Sequence, residues 1–372
     1  MMAPRTSELA FVTAACAWPR LPGDIATLHG CARAEIDWPL VTRLATTHQV
    51  TALVADALAL VEAPRPARAA LAQAAHPLLG EALRHAHETH RLVALLDAAG
   101  IPATVLKGAA TAITAFGRQG LREAIDIDLL VAPDLVPPAL ATLLREGYHV
   151  EGDLRAARQR GHKDLLLYHP GRAVTLELHW RLFQNPRVLP VPTDRVPVAV
   201  LPGRDVPALA PLDEALYLCC HGGEHGWAKL KWLADITALL RAGRVDATAL
   251  YAHARSRRLA RMVGPGLLLA HRLHATPLPE ALAADLVGDW RMRCLGSMAW
   301  SALAGDEDGL PLEQRPRATT LKNLSHYLFS ADPRRLWHEA RYDLLDRPPG
   351  QSLPRRLGTL ATRLFRPRAH PA

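Results

Sequence analysis

Cysteine is scarce and unsuited to a covalent framework. Five occur in 372 residues, at positions 16, 31, 219, 220 and 294, an odd count with no CxxC pair. This argues against a disulfide scaffold or a zinc ribbon and points to a reducing compartment. Aromatic residues are few, at 5%, while Ala, Leu and Arg are abundant, so the chain leans helical. No uninterrupted apolar run reaches transmembrane length. The run Leu9–Trp18 follows Arg5 and raises a signal peptide, but Glu8 and the shortness of the run argue against one. A cytoplasmic protein is expected. A P-loop, a GxGxxG turn and a Ser/His/Asp nucleophile motif are all missing, which removes the commonest nucleotide-binding and acyl-transfer signatures. There is no internal repeat and no low-complexity block.

What is present fits a globular protein of two or three domains, 49% hydrophobic and 22% charged. The net charge of +8 is unevenly placed: Glu313–Arg368 holds twelve Lys/Arg against five Asp/Glu, or +7. The last stretch, with Leu353, Leu357, Leu360, Leu364 and Phe365 among Arg355, Arg356, Arg363, Arg366 and Arg368, has the pattern of a basic amphipathic helix. Such a tail suits an acidic partner or membrane surface; plain solubility is the alternative. No specific nucleic acid is expected.

Residues 1 to about 100 read as helical, with Pro64, Pro66 and Pro77 as punctuation and a helix over His85–Ala99 closed by Gly100 and Pro102. The pattern then changes. Ala103–Leu106 reads as a short strand and Lys107-Gly108-Ala109 as a turn into a helix. Segments 125–131, 148–150, 164–169 and 173–180 read as strands. The prolines at 186, 190, 192, 197, 202 and 207 suggest an extended crossing, and from Leu212 the spacing is helical again. The fold class is α+β: a small mixed sheet flanked by N-terminal and C-terminal helical regions.

The chemistry concentrates in Ile125-Asp126-Ile127-Asp128-Leu129-Leu130-Val131. On a strand, the period of two puts Asp126 and Asp128 on one face and Ile125, Ile127 and Leu129 toward a core. Two carboxylates so placed need a positive charge between them. A divalent cation such as Mg²⁺ supplies one; an edge strand with two solvated aspartates is the other reading. A third carboxylate, Glu177, shares its strand face with Thr175 and His179. If its strand neighbours 125–131, three carboxylates converge and could hold two Mg²⁺ ions for in-line nucleotidyl transfer, with Glu177 also available as base. Gly108 opens a helix whose free N–H groups can take phosphate, and Lys107 adds charge; a plain strand–turn–helix link is the alternative.

Gly108, Asp126-Ile127-Asp128 and Leu176-Glu177-Leu178 together resemble the polymerase-β-type nucleotidyltransferase superfamily. The set widens with Val105–Gly108, Arg122, Gly147-Tyr148, Glu177–Trp180, His221, Gly222, His225 and Trp227, and Leu230–Ile236. These resemble more closely the uncharacterised nucleotidyltransferase family, over roughly residues 90–240. The resemblance implies a metal site at Asp126, Asp128 and Glu177, two Mg²⁺ ions and an NTP donor, with ATP and transfer of AMP the first expectation. Its members sit among genes for peptide natural products, lasso peptides included, or surface polysaccharides, so a modified peptide or a sugar is an implied acceptor. It also frames the domains: 1–100 N-terminal helical, 101–205 nucleotidyltransferase core, 206–305 a helical domain closing the nucleotide cleft, and 306–372 a basic C-terminal region.

Two departures stand out. Ala109 replaces the superfamily's usual Ser or Gly, losing a hydroxyl contact to phosphate, and the gap from Gly108 to Asp126 is long. Lys107 and Arg122 would compensate. His221, Glu224 and His225 lie within a helical turn but do not spell HExxH, and no further ligand is evident. A helix turning His221, His225, Lys229 and Lys231 toward the triphosphate is expected instead; a helix packed by Trp227 and Trp232 is the alternative. Rival functions are a non-catalytic nucleotide-binding or scaffold protein on a degenerate transferase fold, and a kinase-like phosphotransferase.

Overall fold

The computed structural model describes residues 6–159, 161–304, 310 and 316–345. The basic amphipathic segment 353–368 lies outside them. The fold is α+β, and the backbone groups into two compact units, one of residues 75–217 and one of residues up to 74 and from 218 on. The boundaries fall inside two helices, Arg65–Ala98 and Pro211–Glu224.

The unit of residues 75–217 holds all seven strands among the described residues: β1 Thr104–Val105, β2 Ile127–Leu130, β3 His149–Val150, β4 Asp164–His169, β5 Val174–His179, β6 Arg195–Leu201 and β7 Arg204–Leu209. They form one mixed sheet in the order β3-β4-β5-β2-β1-β7-β6. The central pair, β2 and β5, is parallel, with β1 antiparallel to β2 and β4 antiparallel to β5. Period-two patterning explains the layering. Ile127 and Leu129 of β2 and Val174, Leu176 and Leu178 of β5 join one core with Leu92, Val93 and Leu96 of the long helix. Burying each such side chain contributes about 1.5–3 kcal/mol. The opposite face of the same strands is left to Asp128, Glu177 and His179. Tyr148, after the turn at Gly147, donates its hydroxyl to Glu88 Oε1 at 2.8 Å, and Glu88 in turn pairs with Arg91 at 2.8 Å.

Three local expectations are corrected. Ile125 does not enter the core; it is 68% exposed, because β2 starts only at Ile127 and the alternation does not reach back past Asp126. The proline-rich crossing contains a hairpin, β6–β7, in which Pro197 faces Pro207. β6 is an edge strand, where a missing N–H costs no ladder bond. Pro77 punctuates nothing; it lies inside the 34-residue helix Arg65–Ala98.

The second unit is helical. The run weighed as a signal peptide forms the helix Ser7–Ala15, with Leu9, Phe11 and Val12 buried and Thr6 capping its N-terminus at 3.2 Å. Helices Leu230–Arg241, Ala260–His274 and Trp290–Ala304 carry further buried faces. Among the described residues, no helix is long and apolar enough to cross a membrane.

Candidate active site

Gly108 links β1 to the helix Ala109–Phe116 at φ +70°, a conformation L side chains rarely adopt. A Cβ there would lie 3.7 Å from the Asp126 carbonyl oxygen, so the turn runs close beside the aspartate segment. No side chain caps this helix, which leaves its first N–H groups for a ligand. Asp126 sits in the bend just before β2, and Asp128 is the second residue of the strand.

The pairing of β2 with β5 sets Asp128 directly opposite Glu177 and Leu130 opposite His179. The next strand sets Asp164 opposite His179. His179 Nε2 lies 3.1 Å from Asp128 Oδ1 and 3.0 Å from Glu177 Oε2. Both partners only accept, so this nitrogen carries the proton. Its Nδ1 is 3.7 Å from Asp164 Oδ2. Lys107 Nζ approaches Asp128 Oδ2 at 2.6 Å and Asp126 Oδ1 at 3.4 Å. Lys163 pairs with Asp164 and stands 3.7 Å from Glu177 Oε2.

The result is four carboxylates (126, 128, 164, 177) against three cationic groups (Lys107, Lys163 and a protonated His179), one negative charge in excess. Burial and the Lys163 charge push the His179 imidazolium toward losing its proton. Hydrogen bonds to Asp128 and Glu177, with the Asp164 charge, outweigh them and raise it to about 9. Burial likewise opposes ionisation of Glu177, yet the His179 hydrogen bond and the two lysines hold it down at about 2. Asp128 is lowered against its burial by Lys107 and His179, and Lys107 is raised against its own burial by Asp126, Asp128 and Glu177. The buried Tyr217 beside this cluster has a raised pKa, from burial first and the Asp128 charge second. Asp128, Asp164 and Glu177 are therefore ionised at neutral pH.

The oxygens of the donor set fit a hard cation, whereas His179 Nε2, which carries a proton toward both carboxylates, offers a metal no lone pair. Ligand atoms of Asp128, Glu177 and His179 all lie within 4.8 Å of one another. Asp128 Oδ2 is buried and makes no aligned hydrogen bond, and the Lys107 ammonium is the cation nearest to it. Oxygens of Asp126, Asp128 and Glu177 suit Mg²⁺. The cation that the sequence expected between the aspartates has a protein counterpart here, the Lys107 ammonium.

Of the other residues singled out from the sequence, Arg122 is buried in the same unit. His221, His225, Lys229 and Lys231 belong to the helical unit. There His225 stacks on Trp232 at 4.8 Å and lies 4.6 Å from the His221 ring, and Glu224 completes a second cluster of potential ligand atoms. Lys229 precedes the helix Leu230–Arg241, and Lys231 Nζ donates to Gln49 Oε1 at 3.2 Å.

The sequence pattern assigns no role to His179, Asp164 or Tyr217. The period-two face containing Glu177 and His179 was the available signal for one of them. The others depend on β4 lying against β5 and on where a helix starts, which no local pattern states.

A model of the family described as uncharacterised nucleotidyltransferase matches residues 34–275, which takes in both clusters. No curated protein matches the chain.

Proposed function

The chain belongs to the uncharacterised nucleotidyltransferase family, and from that premise we propose an Mg²⁺-dependent enzyme that moves NMP, AMP from ATP in the first instance, onto a hydroxyl or phosphate acceptor. The observation that carries this reading is the register of two parallel strands that sets Asp128 against Glu177, with the uncapped helix turn at Gly108 beside Asp126. Asp126, Asp128 and Glu177 would hold the metal. Bound there, Mg²⁺ supplies charge for the triphosphate and for the departing pyrophosphate.

The chain's own groups do the rest. The N–H groups after Gly108 and the Lys107 ammonium receive phosphate oxygens. His179 locks the Asp128 and Glu177 carboxylates in place through one shared proton. A carboxylate held near 2 is a weak base, so Glu177 serves as ligand and electrostatic group here rather than as proton acceptor. Arg122, which lies in the same unit as the carboxylates, remains in this reading as a further phosphate contact. A modified peptide, such as a lasso peptide, or a sugar remains the acceptor class.

A second reading rests on a specific observation: Lys107 and His179 already neutralise the carboxylates as a metal would. That favours a nucleotide-binding protein without turnover. Product analysis decides among the readings. With ATP, Mg²⁺ and the products of neighbouring genes, nucleotidyl transfer releases pyrophosphate and adds a nucleoside monophosphate to one component. A kinase-like reaction gives ADP, and a binding protein gives neither. Asp128→Asn, which keeps the side-chain shape, should cut pyrophosphate release by at least about a hundredfold, as loss of a transition-state electrostatic group does. Full activity in a folded Asp128→Asn protein would sink the mechanism.

A further inference from the structure

We propose that the sheet unit carries a second ligand site, a pocket for an amphipathic organic anion, at the C-terminal ends of β2 and β5. A cavity of about 900 Å³ opens there. Its volume lies within the range of small-molecule sites. Leu130, the last residue of β2, lines it, as do Trp180 and Arg181, which follow directly on β5, and Thr104, which opens β1. None of the residues that gather around Asp128 and Glu177 lines this cavity. The two sites therefore lie at different points along the same strands.

The walls set the chemistry of the ligand. Val93, Val131, Trp180, Val191, Pro133 and Pro207 offer an apolar surface for a flat or aliphatic body. Two guanidiniums, Arg181 and Arg195, also line it and are half-buried. Arg181 gives Nη2 to the carbonyls of Gly161 and His162 at 2.8 and 2.6 Å, while its Nε is buried with no hydrogen-bond partner. Arg195 bonds Thr104 Oγ1 at 2.5 Å and the Asp194 carbonyl at 2.9 Å. Among the described residues, neither pairs with a carboxylate.

The acids of the cavity, Asp97 and Asp205, are exposed, and water screens them. A guanidinium withdrawn from water without a paired anion is costly; burial lowers the pKa of Arg181 outright and that of Arg195 against the charges of Asp213 and Asp194. A carboxylate or phosphate meets that need with charge-assisted hydrogen bonds, while its organic body covers the apolar wall. The unsatisfied Arg181 Nε, the half-buried Arg195 and the apolar volume occur together, which selects an anion with an apolar body over either part alone.

The test is calorimetric titration of the full chain with 2-naphthoate, 2-naphthyl phosphate and the neutral 2-naphthamide. At least one anion should bind about tenfold or more tighter than the amide, a step of 1.4 kcal/mol. Whichever anion wins identifies the head group. Arg195→Gln and Arg181→Gln should each erase most of that preference and leave amide binding in place. Should either variant fold poorly, Ala94→Trp serves instead. It fills the cavity from an exposed helix position and leaves both arginines intact; it should weaken anions and amide alike by about tenfold. Equal binding of anions and amide, no binding of any probe, or undiminished binding to Ala94→Trp would each overturn the proposal. Pyrophosphate release is not part of the readout, so failure here leaves the nucleotidyl-transfer reading untouched, and the reverse holds.

Discussion

Single residues in this protein carry charge in places that water does not reach, and the consequences are readable by titration. His274 is fully buried, with Nδ1 2.7 Å from the Thr237 hydroxyl. Burial first and the Arg241 charge second push it down to about 3, against the opposing charge of Asp24. In the unfolded chain the same imidazole titrates near its ordinary value of about 6.5. Between these values the unfolded state binds the extra proton, so stability from the neutral His274 is complete above about pH 6.5 and is lost as pH falls toward 3. The loss has an upper slope of about 1.4 kcal/mol per pH unit. His274→Gln should flatten the fall of the urea midpoint between pH 7 and pH 5; an unchanged pH slope would contradict the buried neutral assignment. The site cluster follows the opposite logic. There Lys107, Lys163 and His179 keep the buried carboxylates ionised, so removing one partner leaves a buried charge uncompensated at a cost of about 3–5 kcal/mol. An amide at position 128 also removes that charge, but it keeps the side-chain volume and an oxygen that can accept from His179, neither of which alanine provides.

At the scale of elements, the glycine-rich stretch from His221 to Trp227 has a packing explanation. Trp227 is buried, 2% exposed, and takes a left-handed backbone at φ +52°. Its ring presses on Gly222 of one helix, where a Cβ would come within 2.6 Å, and on Gly266 of the helix Ala260–His274. Two glycines thus make room for one indole. Gly266→Ala should destabilise the protein by roughly 1–3 kcal/mol through overpacking, seen as a lower melting temperature. A smaller indole substitute, Trp227→Leu, combined with Gly266→Ala should lose less than the sum of the single changes, since the two residues share one space. Simple additivity would show that the clash is relieved elsewhere. The parallel β2–β5 pair is the other decisive element. A slip of one residue in its register would turn Asp128 or Glu177 into the core.

For the whole molecule, the family sets the expectation of an NTP donor, and the site chemistry sets the expectation of a metal. Chelation by EDTA should abolish pyrophosphate release, and Mg²⁺ should restore it. Turnover that persists without divalent metal would mean that Lys107 and His179 suffice as cations. The +7 carried by residues 313–368 belongs to this scale too. Should it meet an acidic partner, the attraction would weaken with added salt, fading beyond a Debye length of about 8 Å at physiological ionic strength.

The sequence by itself determined the chemistry-bearing faces. A period of two put Asp128 on the face opposite Ile127 and Leu129 and put Glu177 with His179, a glycine at 108 marked the turn beside them, and helical spacing marked the flanking regions. These are local properties, written in neighbouring residues. It did not show which strands would be neighbours, that Pro197 and Pro207 would face each other in a hairpin, that Ile125 would stay in water, or that a lysine would stand between the aspartates. Those depend on non-local pairing and on the start of each element, which are decided by how all the apolar faces close over one core. The register of β2 with β5, the cation at Lys107 and the cavity at the strand ends therefore belong to the tertiary structure alone.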